Sequence, residues 1–533
     1  MRRRTVLTLS ALASLAGGVS AWWSWPRAPR WNLLLISIDT LRADHLSVYG
    51  YERPTTPAID QLARRGHVFR RAYSTCPMTL PSHTSMLTGM HPAQLGVTDN
   101  FQKVPQEAVT LAEVLKNAGY ATGGFVSANP LFTHTQIQKG FEVYDAHTRI
   151  AGPTVQQAIN WMDVHKNAPH FAFVHLFDPH SVYHAPSRFR QAFRAPQRPM
   201  PPDDAFIVDL DAMTPQLVSE ATAAYDAEIS YADSEVGRLL KYLERSGLAE
   251  RTLVAVVSDH GETLGELLDR FGYAFDHSEF AYLHQLHVPL ILALPGADSS
   301  RDHWEPVSLV DLMPTLLELL GIPKPAGSYG QSLAPRLRGE TVQASPCFSQ
   351  RQGFQKAGRP FFAGEGLSLV HDRWHLLSFD AMPPELYDLT SDPLEQTNLL
   401  ERSVSSSPGS AARSASETSD SADRIAVQRV AEDLEYRLES LHQLVSQPVA
   451  RGGVVVDPEV IRKQLVEQVT GRVRWRESME WMATEGGVTR FVEVGAGKVL
   501  TGMAKRAAPE AEHVPLNTPE DLEAFAKSLQ GAE

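Results

Sequence analysis

Three short apolar runs in this chain end on acidic or imidazole side chains: Ile36-Ser37-Ile38-Asp39, Phe173-Val174-His175-Leu176-Phe177-Asp178-Pro179-His180 and Val257-Ser258-Asp259-His260. Strand ends of this kind converge, in an open α/β sheet, on the crevice where ligands bind. The rest of the first 400 residues fits that frame, because short apolar runs alternate with helical periods. Strands are expected at 32–38, 121–127, 171–176, 253–258 and 288–294. Helices are expected at 56–65, 108–118 and 222–246, closed by Gly66, Gly119 and Gly247, and another near 309–320. Residues 188–211 are rich in Pro, Arg and Phe without a clear period and read as an irregular excursion near the sheet's functional edge.

With 533 residues the chain has room for about three or four units. At 43% hydrophobic and 21% charged residues it is neither disordered nor fibrous. Residues 403–424 collapse to Ser, Ala, Asp and Gly and read as a flexible linker. A helical period follows at 425–447, and 448–533 reads as a separate small α/β piece. The net charge of −13 opposes nucleic-acid binding through the whole surface, and two cysteines make no disulfide framework. Arg2, Arg3 and Arg4 before an apolar run, with Val19-Ser20-Ala21 as a small-residue cleavage site, predict an export signal over 1–21, by the twin-arginine route or another. An apolar stretch read through Trp25 is instead long enough for a membrane anchor. Both place the remainder outside the cytoplasm, in the periplasm or beyond.

Asp39, Asp259 and His260 are candidate ligands of one divalent cation, with room left for a second. Two carboxylates and one imidazole suit manganese or zinc at least as well as calcium. The segment Thr79-Leu80-Pro81-Ser82-His83 opens a helix, so the Thr79 hydroxyl stands where helix N-terminal amides favour an anion. A threonine hydroxyl attacks at neutral pH only when activated, and metal coordination is one means. The alternative is that Thr79 merely caps the helix.

In order along residues 32–400, several motifs resemble the sulfatase family of the alkaline phosphatase superfamily. They are Ile38-Asp39-Thr40-Leu41-Arg42-Ala43-Asp44 with Thr56-Pro57, Pro81-Ser82 through Leu87-Thr88-Gly89, Ser258-Asp259-His260-Gly261-Glu262, and Glu385-Leu386-Tyr387-Asp388-Leu389 with Asp392-Pro393. The resemblance implies an α/β fold with a central mixed, largely parallel sheet between helices, a smaller C-terminal subdomain near 350–400, and an appended α/β fragment. It implies that Asp39, Thr79, Asp259 and His260 hold the metal and that Thr79, His83 and His277 are catalytic. His180, His184 and Arg42 would contact substrate, a small-molecule, glycan or lipid ester.

The chain departs from the usual sulfatase pattern at its centre. In sulfatases of the usual kind, Cys or Ser in a C/S-x-P-x-R motif is oxidised to formylglycine, whereas Thr79 and His83 occupy the first and last positions of that motif here. Oxidised threonine would be a ketone, and Cys76 lacks the proline and arginine at the required spacing, so no formylglycine is expected. Superfamily members with a threonine nucleophile, such as nucleotide pyrophosphatases and phosphoglycerol transferases, act on phosphate esters through a phosphothreonine. The readings left open are a sulfate or phosphate ester hydrolase, a phosphoester transferase, and an inactive module binding anionic glycans. The last 80 or so residues resemble the end of malonyl-CoA:acyl carrier protein transacylase through Gln468-Val469-Thr470-Gly471 and Val492-Glu493-Val494-Gly495-Ala496-Gly497-Lys498, yet the chain has no G-x-S-x-G, and no acyltransferase activity is expected.

Overall fold

The computed structural model describes residues 30–201, 214–325, 327–353, 364–402, 415–446, 490–494 and 512–516. It divides into two compact units, Met1–Val449 and Ala450–Glu533. The expected export signal or anchor lies outside the described residues, and no described helix is long and apolar enough to cross a membrane.

In the first unit nine strands form one sheet. They are β1 (Asn32–Ile38), β2 (His67–Tyr73), β3 (Ala121–Val126), β4 (Val143–Ala146), β5 (His170–Leu176), β6 (Thr252–Ser258), β7 (His287–Ala293), β8 (Arg301–His303) and β9 (Val307–Ser308). The order is β4-β3-β5-β1-β6-β7-β2-β8, with β9 also on β2, and β7 alone runs antiparallel to its neighbours. The central trio β5-β1-β6 is buried along its whole length, so each strand reads as an apolar run without polar alternation, interrupted inside only by Ser37 and His175.

Helices cover both faces: α1 (Pro57–Ala63), α2 (Thr79–Thr88), α3 (Leu111–Asn117), α4 (Ala151–His165), α5 (Pro215–Arg245) and α6 (Leu312–Leu319). Alternate strand residues separate two cores. Leu34, Ile36, Ala172, Val174, Val254 and Val256 pack with α4 and α5, while Leu33, Leu35, Phe171, Phe173, Leu253 and Ala255 pack with α2, α3 and α6. The expected strands and helices are present with shifted ends. Helix α5 starts earlier than residue 222, because Pro215 at its first turn and the Thr214 side chain, which accepts from Leu217 N–H, set its beginning. Helix α3 starts later than residue 108, where Thr110 and Glu113 form a capping box.

Two other expectations are corrected. The excursion at 188–211 contains a helix, Ser187–Phe193, and residues 202–213 lie outside the described residues. The expected linker at 403–424 is helical from Ala415, the start of α7 (Ala415–Val445), whereas 403–414 lie outside the description. Acidic residues near a helix start complement its dipole, so a Ser/Ala/Asp/Glu composition is compatible with a first turn. Helix α7 lays Ala431, Leu434 and Leu438 against Phe348, Leu369, Leu376 and Leu386 of a second, antiparallel sheet. That sheet is β10 (Cys347–Arg351), β11 (Gly366–His371), β12 (Trp374–Phe379) and β13 (Met382–Asp388). In the second unit, β14 (Arg490–Val494) pairs in parallel with β15 (Glu512–Leu516).

Candidate active site

Strand parity assembles the site. Ser37 of β1 lies level with His175 of β5 and Val257 of β6, on the face that receives α2. One further step of two residues brings Asp39 and Asp259 out of the same face at the strands' C-terminal ends. The turn after β1 is fixed from several sides. Asp39 N–H donates to Leu176 O at 2.9 Å, Thr40 N–H to Asp259 Oδ1 at 3.3 Å, and Leu41 N–H to the Ser258 hydroxyl at 3.0 Å. The Tyr225 hydroxyl donates to Thr40 O at 2.7 Å and accepts from Arg42 N–H at 3.0 Å. These bonds hold Thr40 at φ 54°, a strained value for a β-branched residue.

Thr79 is the first residue of α2, and Met78 is the N-cap, so the Thr79 hydroxyl does not cap the helix. It stands 3.4 Å from His260 Nε2. Nε2 of His260 is 3.3 Å from Asp259 Oδ2 and 3.7 Å from Asp39 Oδ1. Asp39, Asp259 and His260 thus form a buried group of metal-ligand geometry. The helix start is pinned to the same group, because Ser82 Oγ donates to Asp259 O at 2.7 Å and Leu80 N–H donates to Asn100 Oδ1 at 2.8 Å. The second sheet holds the loop before α2: Gln350 N–H donates to Thr75 O at 2.9 Å and Ser349 Oγ to Ser74 O at 2.6 Å.

Four further histidines, His83, His175, His180 and His277, crowd this centre. His83 Nδ1 donates to Thr79 O at 2.7 Å while its Nε2 meets Ser37 Oγ at 2.9 Å, so it braces α2 against β1. The His277 ring packs 4.4 Å from His260 and 4.9 Å from His180, and its Nδ1 is 3.3 Å from Glu262 Oε1. His180 Nδ1 donates to Ser181 O at 2.7 Å, which leaves Nε2 as an acceptor. Burial pushes His83 and His260 down to about 3 and His277 and His175 down to about 4, so the imidazoles are neutral. Burial, with Asp39 alongside, pushes Asp259 up to about 7, and burial pushes Glu262 up to about 8.

The residues fit a divalent cation. Both oxygens of Asp39 and Oδ2 of Asp259 are buried without a hydrogen-bond partner among the described residues. Such carboxylates need a positive partner. Two of the sequence-predicted substrate contacts have their polar groups engaged by protein partners. The Arg42 guanidinium is committed to Asp44 at 2.7 Å, to Glu266 at 2.5 Å and to Glu262 O at 3.0 Å, which neutralises it as an anion clamp. His184 is exposed, with its Nε2 2.8 Å from Arg190 Nη1 and its N–H on Glu228. The sequence reading gave no role to His175 or Glu262. The available signal for His175 was an ionisable residue inside an otherwise apolar strand, in phase with Ser37 and Asp39.

Gly261, next to His260, fits because it has no side chain: a Cβ there would lie 2.1 Å from the backbone oxygen of His284. Gly261→Ala is therefore expected to shift the His260 segment and to destabilise the protein by about 1–3 kcal/mol, read as a lower melting temperature. An unchanged melt would contradict this packing.

The comparisons agree with this architecture. The family model described as Sulfatase matches residues 31–322, and the model described as N-sulphoglucosamine sulphohydrolase, C-terminal, matches residues 271–408. The chain is 25% identical over 470 residues to arylsulfatase K of Bos taurus, covering 74% of this chain and 83% of that protein. It is 25% identical over 412 residues to a Delta 4,5-hexuronate-2-O-sulfatase of Bacteroides thetaiotaomicron, covering 69% of this chain and 84% of that one. A solved structure, the phosphonate monoester hydrolase of Agrobacterium radiobacter, shares the fold at TM-score 0.61 and 20% identity, over 76% of this chain and 96% of the other. With the family model spanning more than half of the sequence, the chain belongs to the sulfatase family of ester hydrolases.

Proposed function

We propose that the protein is a cation-dependent hydrolase of sulfate or phosphate esters that uses Thr79 as its nucleophile through a covalent intermediate. The observation that carries this reading is the Thr79 hydroxyl, free of capping duty at the start of α2 and 3.4 Å from His260 within the Asp39–Asp259–His260 group. A divalent cation held by Asp39, Asp259, His260 and Thr79 would lower the hydroxyl's pKa and offset charge on the ester oxygens.

In the forward step the Thr79 hydroxyl gives up its proton to water, a bond forms between Thr79 Oγ and the sulfur or phosphorus, and the bond to the leaving oxygen breaks. Glu262, protonated because burial pushes its carboxyl up to about 8, passes its proton to His277 Nδ1 as His277 Nε2 gives its own to that oxygen, and His180 accepts hydrogen bonds at Nε2 beside it. Water then cleaves the Thr79 ester and releases sulfate or phosphate. No formylglycine enters this scheme. The names of the relatives support aryl and sugar sulfates, with phosphonate monoesters beside them, as the substrate class. We also propose export or outward tethering through the N-terminal segment, and no acyl-transfer role for 448–533.

The test is turnover of matched aryl sulfate, phosphate monoester and phosphate diester by the full chain with manganese, zinc or calcium. Turnover of at least one ester class that requires added cation is expected. Failure on all three classes with every cation would overturn the assignment.

A further inference from the structure

The turn that carries His180 leaves β5 and is tied down on either side by carboxyls that play no part in the cation group. Two residues before His180, Asp178 Oδ2 accepts from Ala151 N–H at 2.7 Å, at the start of α4. Four residues after it, His184 N–H donates to Glu228 Oε1 at 2.5 Å, on α5. Within the turn, His180 N–H donates to Phe177 O at 2.8 Å, and the His180 ring stacks on Phe177 with centroids 4.5 Å apart. Asp178 and Glu228 are both buried, and their side chains meet within hydrogen-bonding reach of each other. No N–H or hydroxyl of the described residues bonds to Glu228 Oε2.

Two buried carboxyls this close do not both keep their charge unless a cation joins them. The nearby Arg190 does not: its Nη1 is 2.8 Å from His184 Nε2 and 2.8 Å from Ala185 O. Helix α5 adds a third acid, Glu235, paired with Arg238 at 2.5 Å, and Tyr231, whose hydroxyl accepts from Gly152 N–H at 2.9 Å. From α4 the group facing the pair is the Ala151 amide. Burial pushes both carboxyls upward, and the charge of Asp178 pushes Glu228 further. One proton between them removes the repulsion and gives Glu228 Oε2 the hydrogen bond it otherwise lacks.

We propose that Asp178 and Glu228 share one proton and act as positioning residues, clamping the turn so that His180 Nε2 stays beside the leaving oxygen of the ester. This rests on the role given to His180 above. Loss of the shared proton sets two like charges against each other and loosens the tie between the turn, α4 and α5. The folded chain holds this proton more tightly than the unfolded one. The pair's contribution to stability is therefore fully present below the ordinary carboxylate range and declines as the pH rises and the pair deprotonates.

Infrared spectra, thermal melts and steady-state kinetics of the full chain with added manganese test the assignment. Near neutral pH, the difference between wild type and Glu228→Gln is expected to show the carbonyl stretch of one protonated carboxylic acid, because the glutamine amide makes the same bonds without a titrating proton. Absence of that band would overturn the shared proton. Glu228→Gln is expected to melt level with wild type at acid pH and above it at alkaline pH, and a gap that stays constant would contradict deprotonation of the pair. Glu228→Ala is expected to lower kcat at least about tenfold, with turnover restored in Glu228→Gln. In a His180→Ala background the same Glu228→Ala change should cost less than about twofold, because its effect passes through His180. An equal cost in both backgrounds would overturn positioning and leave Glu228 a purely structural residue. Failure of the wild-type protein on every ester would overturn the hydrolase reading and the role of His180 with it, while the infrared band would still decide whether the proton is shared. Should Glu228→Ala fail to fold, Glu228→Asp, which withdraws the carboxyl by a methylene, is read in the same cycle.

Discussion

Thr79→Ala is expected to lower turnover by at least about 10³-fold while leaving the melting temperature nearly unchanged. Both halves follow from where Thr79 sits. Its hydroxyl makes no cap, the cap position being Met78, and the contact it makes is to His260 at 3.4 Å. The start of α2 is held by other groups: Asn100 accepts from Leu80 N–H, and Ser82 bonds to Asp259 O. Removing the hydroxyl thus removes the proposed attacking atom and little structure, a stability change within about 1 kcal/mol. Thr79→Ser keeps the oxygen and is expected to retain measurable turnover. Activity above about one percent in Thr79→Ala, with the fold intact by circular dichroism, would contradict the nucleophile assignment and favour attack by a water or another side chain.

Much of this arrangement is legible in the sequence. The three central strands read clearly because burial on both faces removes polar alternation, and the chemistry-bearing residues are those at which the apolar runs stop. Thr79 was legible because Pro81 marks a helix start. What the sequence withheld depends on distant partners. Arg42 reads as a free cation beside the opening motif until Glu266, far along the chain, is folded onto it. His184 follows His180 by four residues, but the chain passes a non-helical turn there, so the two do not share a face. His175 was hidden for the opposite reason: a single polar residue inside a strand resembles a tolerated core position until register places it under Asp39. The early start of α7 was missed because a Ser/Ala/Asp composition serves a linker and a helix's first turns equally well.

Asp259→Asn is expected to move the cation-free and cation-loaded proteins in opposite directions. Without a cation, Asp39 and Asp259 place like charges together in a buried space, and three of their oxygens have no hydrogen-bond partner among the described residues. Burial first, and then Asp39, push the Asp259 carboxyl up to about 7 from an ordinary value of 3.8. A folded-state value above the unfolded one means that the folded chain binds more protons across that interval. The contribution of this group to stability is therefore largest below about 4 and falls as the pH rises through about 7. Asparagine removes that slope, keeps an oxygen for the Thr40 and His260 N–H groups, and offers an amide donor toward Asp39. In chelator at pH 8, Asp259→Asn is thus expected to melt above the wild-type protein, and the gap should close toward pH 4.

With saturating zinc or manganese the order reverses. A ligand that binds only the folded state stabilises it by ~2.7 kcal/mol at about 100 times its Kd, and the variant loses most of that gain together with turnover. Thermal melts of both proteins in chelator and in metal, across pH 4 to 8, read all four states. A variant that melts below wild type in chelator at pH 8 would mean that the Asp259 carboxylate stabilises the fold by itself. The unpartnered oxygens would then have to be explained by packing instead of by a cation.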